Sequence, residues 1–213
     1  MIIFNNVLPF PIPQSDCERS YVWGKDNINF NSEEFTLIKS SSGKGKTTLL
    51  SIIYSIRHDY SGSVTFNGDD IKYFSSRERS NIRQNKLSYL FQGLSLFDDL
   101  TGYENIELNN KLTNFKTKDE IMEIAKILEV DKYMDKFVRR LSFGQKQRIA
   151  LIRALCQPYE YLLLDEPFSH LDKDNQEIAC KLITDECKKN KAGLILTSLG
   201  SEYFLKYDKI YEI

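Results

Sequence analysis

The chain has 213 residues, enough to bury one good core, and about 150 residues per domain sets an expectation of one or two domains. Its 29 Lys+Arg against 30 Asp+Glu leave a net charge of -1, interspersed along the chain, which excludes the basic footprint of a general nucleic-acid binder. No apolar run approaches the roughly 20 residues that span a bilayer, and the start MIIFNNVLPFPIPQ lacks a secretory-signal pattern, so a cytoplasmic chain is expected.

In chain order, Pro9, Pro11 and Pro13 predict an extended loop joining two edge strands. Phe35 to Ile38 is a short apolar run that leads into a Ser/Gly/Lys loop, and Leu49, Leu50, Ile52 and Ile53 follow at helical spacing. Ser63 to Phe66 reads as a strand entering a tight Asn67-Gly68 turn, and Leu87 to Phe91 as a strand ending at Gln92. From Thr101 to Arg140 the period is helical, with Ile121, Ile124, Ala125 and Leu128 on one face. Tyr161 to Leu164 and Leu194 to Thr197 are continuous apolar runs, as expected of parallel strands covered on both faces, and Ile178, Ala179, Leu182 and Ile183 mark a helix between them. The implied class is α/β. Cys17, Cys156, Cys180 and Cys187 have neither paired spacing nor a histidine pattern for zinc, so free structural thiols are expected.

Two segments carry chemistry. Ser40 to Thr48 reads SSSGKGKTT, and Gly45-Lys46-Thr47 matches the end of the phosphate-loop pattern G-x-x-x-x-G-K-S/T. In such a loop (Ser42, Gly43, Lys44, Gly45, Lys46, Thr47 and Thr48 here) backbone amides curl around phosphate oxygens at a helix N-terminus, Lys46 adds a full charge, and Thr47 offers Mg²⁺ a hydroxyl. The first glycine of the pattern is Ser40, and the three residues alone fit an ordinary surface turn equally well. Downstream, Tyr161 to Pro167 puts Asp165 and Glu166 at the end of a buried strand, where Asp165 can hold Mg²⁺ and Glu166 can polarise an attacking water. Two neighbouring acids could also cap the next helix.

Between these segments lies Leu141-Ser142-Phe143-Gly144-Gln145-Lys146-Gln147-Arg148, and here the sequence resembles the ABC ATPase family, whose signature is LSGGQ followed by a basic Gln-Arg helix start. The phosphate loop, Gln92, the Thr101 to Asn105 segment TGYEN, the signature, the acidic strand and Ser169-His170-Leu171-Asp172 occur in the family's order, over essentially the whole chain. The resemblance implies a single P-loop NTPase domain over 1–213, with an ABC-type core sheet, an antiparallel β edge, and a helical subdomain inserted at 94–140. It implies ATP with Mg²⁺ as ligands, Thr47, Gln92 and Asp165 around the metal, and Glu166, Gln92 and Lys46 in catalysis. It also implies a head-to-tail dimer, homomeric or heteromeric, in which Ser142, Gly144 and Gln145 of one copy close over ATP held by the other. Gln92 would couple the nucleotide to the helical subdomain, which docks on a transmembrane permease, so the chain would sit at the inner membrane face only through that partner. TGYEN and the compact insert most resemble the subfamily of lipoprotein release, macrolide export and divisome activation.

Four departures stand out. The histidine that ends the last catalytic strand is missing, with Ser198 and Leu199 after Thr197, and neither His58 nor His170 is a clear substitute. Losing that positioning group is expected to slow hydrolysis, on the order of 10²-fold, more than binding. The aromatic that stacks on adenine has no clear counterpart among Phe10, Tyr21 and Trp23, Trp23 reading as core. Phe143 replaces a signature glycine, with a modest steric effect expected, and Ser40 is expected to strain a backbone angle suited to glycine. These departures leave a competing reading, an ATP-dependent clamp with little or no hydrolysis. A DNA-repair or translation protein is disfavoured, because the chain has no long coiled-coil insert, second cassette or basic face.

Overall fold

A computed structural model describes residues 1–10, 17 and 19–213. The strands are β1 (Ile2–Pro9), β2 (Ile28–Phe30), β3 (Phe35–Lys39), β4 (Tyr60–Phe66), β5 (Asp69–Asp70), β6 (Leu87–Leu90), β7 (Tyr161–Asp165), β8 (Gly193–Ser198) and β9 (Lys209–Glu212). The helices are α1 (Lys46–Ile53), α2 (Ser76–Asn85), α3 (Gly102–Asn110), α4 (Lys118–Ile127), α5 (Phe143–Leu155) and α6 (Lys173–Asn190). Pro9 ends β1, and the expected loop through Pro11 and Pro13 lies outside the described residues.

The strands form two sheets, a parallel one in the order β6-β7-β8-β3-β9 and an antiparallel one in the order β2-β1-β4-β5. Every residue of β6, β7 and β8 is buried, as their unbroken apolar runs require of strands covered on both sides. Side chains alternate across the parallel sheet. Leu162, Leu164, Leu194 and Leu196 face a core shared with α4, α5 and α6, while Tyr161, Leu163 and Ile195 face a second core shared with α1 and the antiparallel sheet. The register sets Asp165 level with Thr197, and Lys39 level with Ser198, so β3, β7 and β8 end together. That carboxyl edge is where an open parallel sheet offers its ligand crevice.

Local chemistry explains most boundaries. Asn67 and Gly68 both have positive φ, as the two-residue turn between β4 and β5 demands. Capping boxes start α2 (Ser75 with Glu78), α3 (Thr101 with Glu104), α4 (Thr117 with Glu120) and α5 (Ser142 with Gln145). Ile121, Ile124, Ala125 and Leu128 are buried as the helical period anticipates. Residues 94–140 contain α3 and α4, both packed on α5. β4 begins three residues earlier than its apolar run, at Tyr60, and β6 stops one residue short of Phe91. α2 was not anticipated, because no residue of SRERSNIRQN is buried and no apolar stripe marks it; only its Ser75-x-x-Glu78 start was readable.

The loop before α4 is pinned to α6 by a buried ion pair, Lys116 Nζ to Glu186 Oε2 at 2.7 Å. Asn110 at the end of α3 braces it, donating to the Lys116 carbonyl and accepting from the Lys116 amide. Removing one partner strands the other charge away from water. Lys116→Met is therefore expected to lower unfolding free energy by about 3 kcal/mol, while Lys116→Met with Glu186→Leu recovers most of that loss. Denaturant titration of both variants checks this, and equal losses would contradict it.

Candidate functional site

β3 delivers the chain to the phosphate loop, where the Ser40 amide donates to the Ser198 carbonyl at 3.2 Å. Gly45 takes a left-handed conformation (φ 103°) to turn the chain into α1, and no side chain caps that helix start, so its first amides remain available to an anion. Ser42 and Gly43 are exposed, Lys44 and Gly45 half-buried, and Thr48 accepts from Arg57 Nη1 at 3.0 Å. Lys46 is buried and curls back over the loop, with Nζ donating to the carbonyls of Ser40 and Ser41, each at 3.0 Å. Ser40 does not have positive φ, so the strain expected there is not present; its carbonyl serves as an acceptor for Lys46 instead.

The carboxylates come from β7. Asp165 is fully buried, and its Oδ2 accepts from the Thr47 hydroxyl at 2.7 Å and the Tyr89 phenol at 3.5 Å. Its Oδ1 accepts from the Thr197 hydroxyl at 2.7 Å, and the Thr197 oxygen in turn accepts from the Glu166 amide at 3.0 Å. Burial, with Asp165 beside it, pushes the Tyr89 phenol far above its usual range, so it remains a proton donor. Glu166 sits in the left-handed region (φ 50°), with its carboxylate 3.4 Å from Lys46 Nζ and 3.5 Å from Gln92 Nε2. Lys46, Thr47, Gln92, Asp165 and Glu166 thus lie together although they come from three separate stretches of chain. The hard oxygens of Thr47 and Asp165, 2.7 Å apart, suit a Mg²⁺ ion, which needs few protein ligands when phosphate oxygens complete its shell.

The signature lies elsewhere on the surface chemistry of the chain. Ser142 caps α5, accepting from the Gln145 amide at 3.3 Å, while Gln145 Oε1 accepts from the Ser142 amide at 3.0 Å. A Cβ at Gly144 would come within 3.3 Å of the His170 carbonyl. Phe143 is 46% exposed, its ring 4.2 Å from that of His170, which also shares a 2.8 Å hydrogen bond with Ser169.

The position of the missing histidine is closed off. Ser198 is fully buried, donating to the Ser201 carbonyl at 2.6 Å and accepting from the Gly200 amide at 3.2 Å, while Leu199 is 57% exposed. His170 is engaged with Phe143 and Ser169, and His58 lies where partial burial and then Arg79 and Arg83 lower its pKa. Trp23 is core, tilted against Phe4 at 6.4 Å, and Tyr21 and Phe10 are exposed. All four cysteines are buried and none is in a disulfide; burial pushes the Cys156 thiol up to about 12 and that of Cys180 up to about 11, which keeps these two protonated and unreactive.

Three residues at the site escaped the sequence reading. In sequence Thr197 reads as one more member of an apolar strand, although a hydroxyl near the end of a buried strand is itself a signal that a polar partner waits there. Tyr89 carries no comparable signal, being a single aromatic in a short, fully buried strand. Gln147, buried on α5, donates from Nε2 to the Glu166 carbonyl at 3.4 Å, and its place in a helix facing the sheet was not separable from the surrounding basic residues.

Known proteins are similar to this chain in sequence and in fold. The chain is 35% identical over 192 residues to the lipoprotein-releasing system ATP-binding protein LolD of Buchnera aphidicola subsp. Schizaphis graminum, covering 89% of this chain and 84% of that one. It is 34% identical over 161 residues to the sulfate/thiosulfate import ATP-binding protein CysA of Salmonella typhi, covering 72% of this chain but only 43% of that longer protein. Its structure matches the dimeric post-hydrolysis state of the ATP-binding cassette MJ0796 bound to ADP and Pi, with a TM-score of 0.77 at 26% identity, over 93% of this chain and 88% of that one. Residues 24–169 match the ABC transporter family. With phosphate loop, acidic strand and signature all inside that stretch, the chain belongs to the ABC transporter family.

Proposed function

We propose that this chain binds and hydrolyses ATP with Mg²⁺ as one half of a head-to-tail dimer that drives a transmembrane permease. The observation that supports this most is the convergence of Lys46, Thr47, Asp165, Glu166 and Gln92 at the carboxyl edge of the parallel sheet, each linked to another at 3.5 Å or less. In this reading the amides of 42–48 and Lys46 hold the phosphates, Lys46 exchanging its two loop carbonyls for phosphate oxygens. Thr47, Asp165 and Gln92 hold Mg²⁺, which when bound neutralises charge developing on the phosphates. Glu166 orients the attacking water. Ser142, Gly144 and Gln145, at a helix start that contributes nothing to their own chain's phosphate loop, cover the partner's nucleotide.

Residues 94–140 form the subdomain that meets the permease, and Gln92 links it to the nucleotide. Among the described residues no helix is long and apolar enough to cross a membrane, so transport itself belongs to that partner. The chain then works at the cytoplasmic membrane face, held there by the permease. Relatives named for lipoprotein release and for sulfate import disagree on cargo and direction, and TGYEN favours the lipoprotein-release group. The clamp without hydrolysis is not favoured, because the catalytic carboxylate is present and oriented. Turnover is slow because Ser198, its hydroxyl committed to the turn at 201, offers nothing to the γ-phosphate.

Two outcomes are expected in single-turnover hydrolysis. Glu166→Gln lowers the rate by about 10²-fold or more while ATP binding persists. Ser198→His or Leu199→His raises it about tenfold or more by restoring a positioning group. No hydrolysis by the unmodified chain with its permease present would reject the reading, and no gain from either histidine would reject the explanation for slow turnover.

A further inference from the structure

α5 joins three places that chemistry would have to coordinate. Its first turn carries Ser142, the capping residue of the signature. One turn further in, Gln147 points inward and donates to the Glu166 carbonyl. At its far end Arg153, also buried, donates to the carbonyls of Leu94 and Ser95, two and three residues beyond Gln92. Both inward bonds end on backbone in an uncommon conformation: Glu166, Leu94 and Ser95 all have positive φ (50°, 58° and 51°). Non-glycine residues hold that conformation only where their surroundings impose it. Three hydrogen bonds hold the Glu166 backbone, from its amide to Thr197 and to its carbonyl from Gln147 Nε2 at 3.4 Å and the Ser169 amide at 3.5 Å, and of the two on the carbonyl only Gln147 comes from α5. The Gln147 side chain is itself under-used, since its Oε1 is buried without a hydrogen-bond partner, which makes it a poor choice for stability alone.

We propose that Gln147 is a positioning residue for the catalytic glutamate, which it holds in the left-handed conformation from the helix whose first residues cover the partner's nucleotide. Seating of the Ser142 end on the opposite triphosphate then sets the Glu166 geometry in the same chain, so each site fires only when its chain is engaged across the dimer. This rests on the proposed function, because it assumes hydrolysis by Glu166.

The test replaces Gln147 by Leu, which keeps the apolar stem and deletes both the donor and the unpaired acceptor, and by Met as a second unbranched variant. The full chain with ATP and Mg²⁺ is expected to show a tenfold to hundredfold slower single-turnover rate in both variants. ATP-induced dimerisation, measured with Glu166→Gln also present to stop turnover, is expected to change less than twofold, and the thermal midpoint is expected not to fall. A crystal structure of Gln147→Leu is expected to show Glu166 outside the left-handed region. Wild-type rates in either variant, rates that fall only in step with the thermal midpoint, or Glu166 unmoved in the crystal would each overturn the proposal. If the unmodified chain hydrolyses nothing, the functional reading fails instead, and the conformation of Glu166 in the crystal still decides the role of Gln147.

Discussion

The structure turns on one buried carboxylate. Asp165 collects hydroxyl bonds from Thr47 on α1, Thr197 on β8 and Tyr89 on β6, so four elements meet at a single fully desolvated group. A buried carboxyl without such partners would be costly, and satisfying it fixes how far the phosphate-loop helix stands from the strand ends. The same set of contacts reaches the next residue, since Thr197 also accepts from the Glu166 amide. One hydroxyl therefore aligns the two neighbouring acids, Asp165 and Glu166. Lys46 completes the arrangement, bridging the loop carbonyls and the Glu166 carboxylate.

What sequence alone made legible follows from how local each signal is. The parallel strands were readable because a strand buried on both faces cannot avoid a continuous apolar run, as in Tyr161 to Leu164. The helix start at Lys46 was readable because a glycine–lysine–threonine turn has a backbone consequence. α2 was not, because its polar sequence gives no stripe and only the cap at Ser75 marks it. Ser40 departs from expectation for the same kind of reason: a sequence pattern shows which residue stands where glycine is usual, but φ depends on the path of the loop, and here that path leaves Ser40 outside the positive-φ region. Thr197, Tyr89 and Gln147 act across the fold, so their partners became visible only once β6, β7, β8 and α5 were side by side.

The departures from the family pattern fall into two kinds. Phe143 is accommodated at the surface, its ring resting on His170, and it leaves the capping pair Ser142 and Gln145 intact. Ser198 removes a group with no replacement, because its own oxygen is spent on Gly200 and Ser201. Under the proposed function the residues assigned to binding are thus all in place, while the side chain at 198 offers nothing for positioning the attacking water.

The central claim is that Lys46, the amides that follow it, and the Thr47–Asp165 pair form a grip for a metal-bound triphosphate. Isothermal titration calorimetry of the full chain with ATP, with and without Mg²⁺, tests it directly. Saturable binding that weakens when Mg²⁺ is omitted, and that is lost in Lys46→Ala, is the expected result. Heat indistinguishable from dilution for the unmodified chain, or equal binding by Lys46→Ala, would contradict the account.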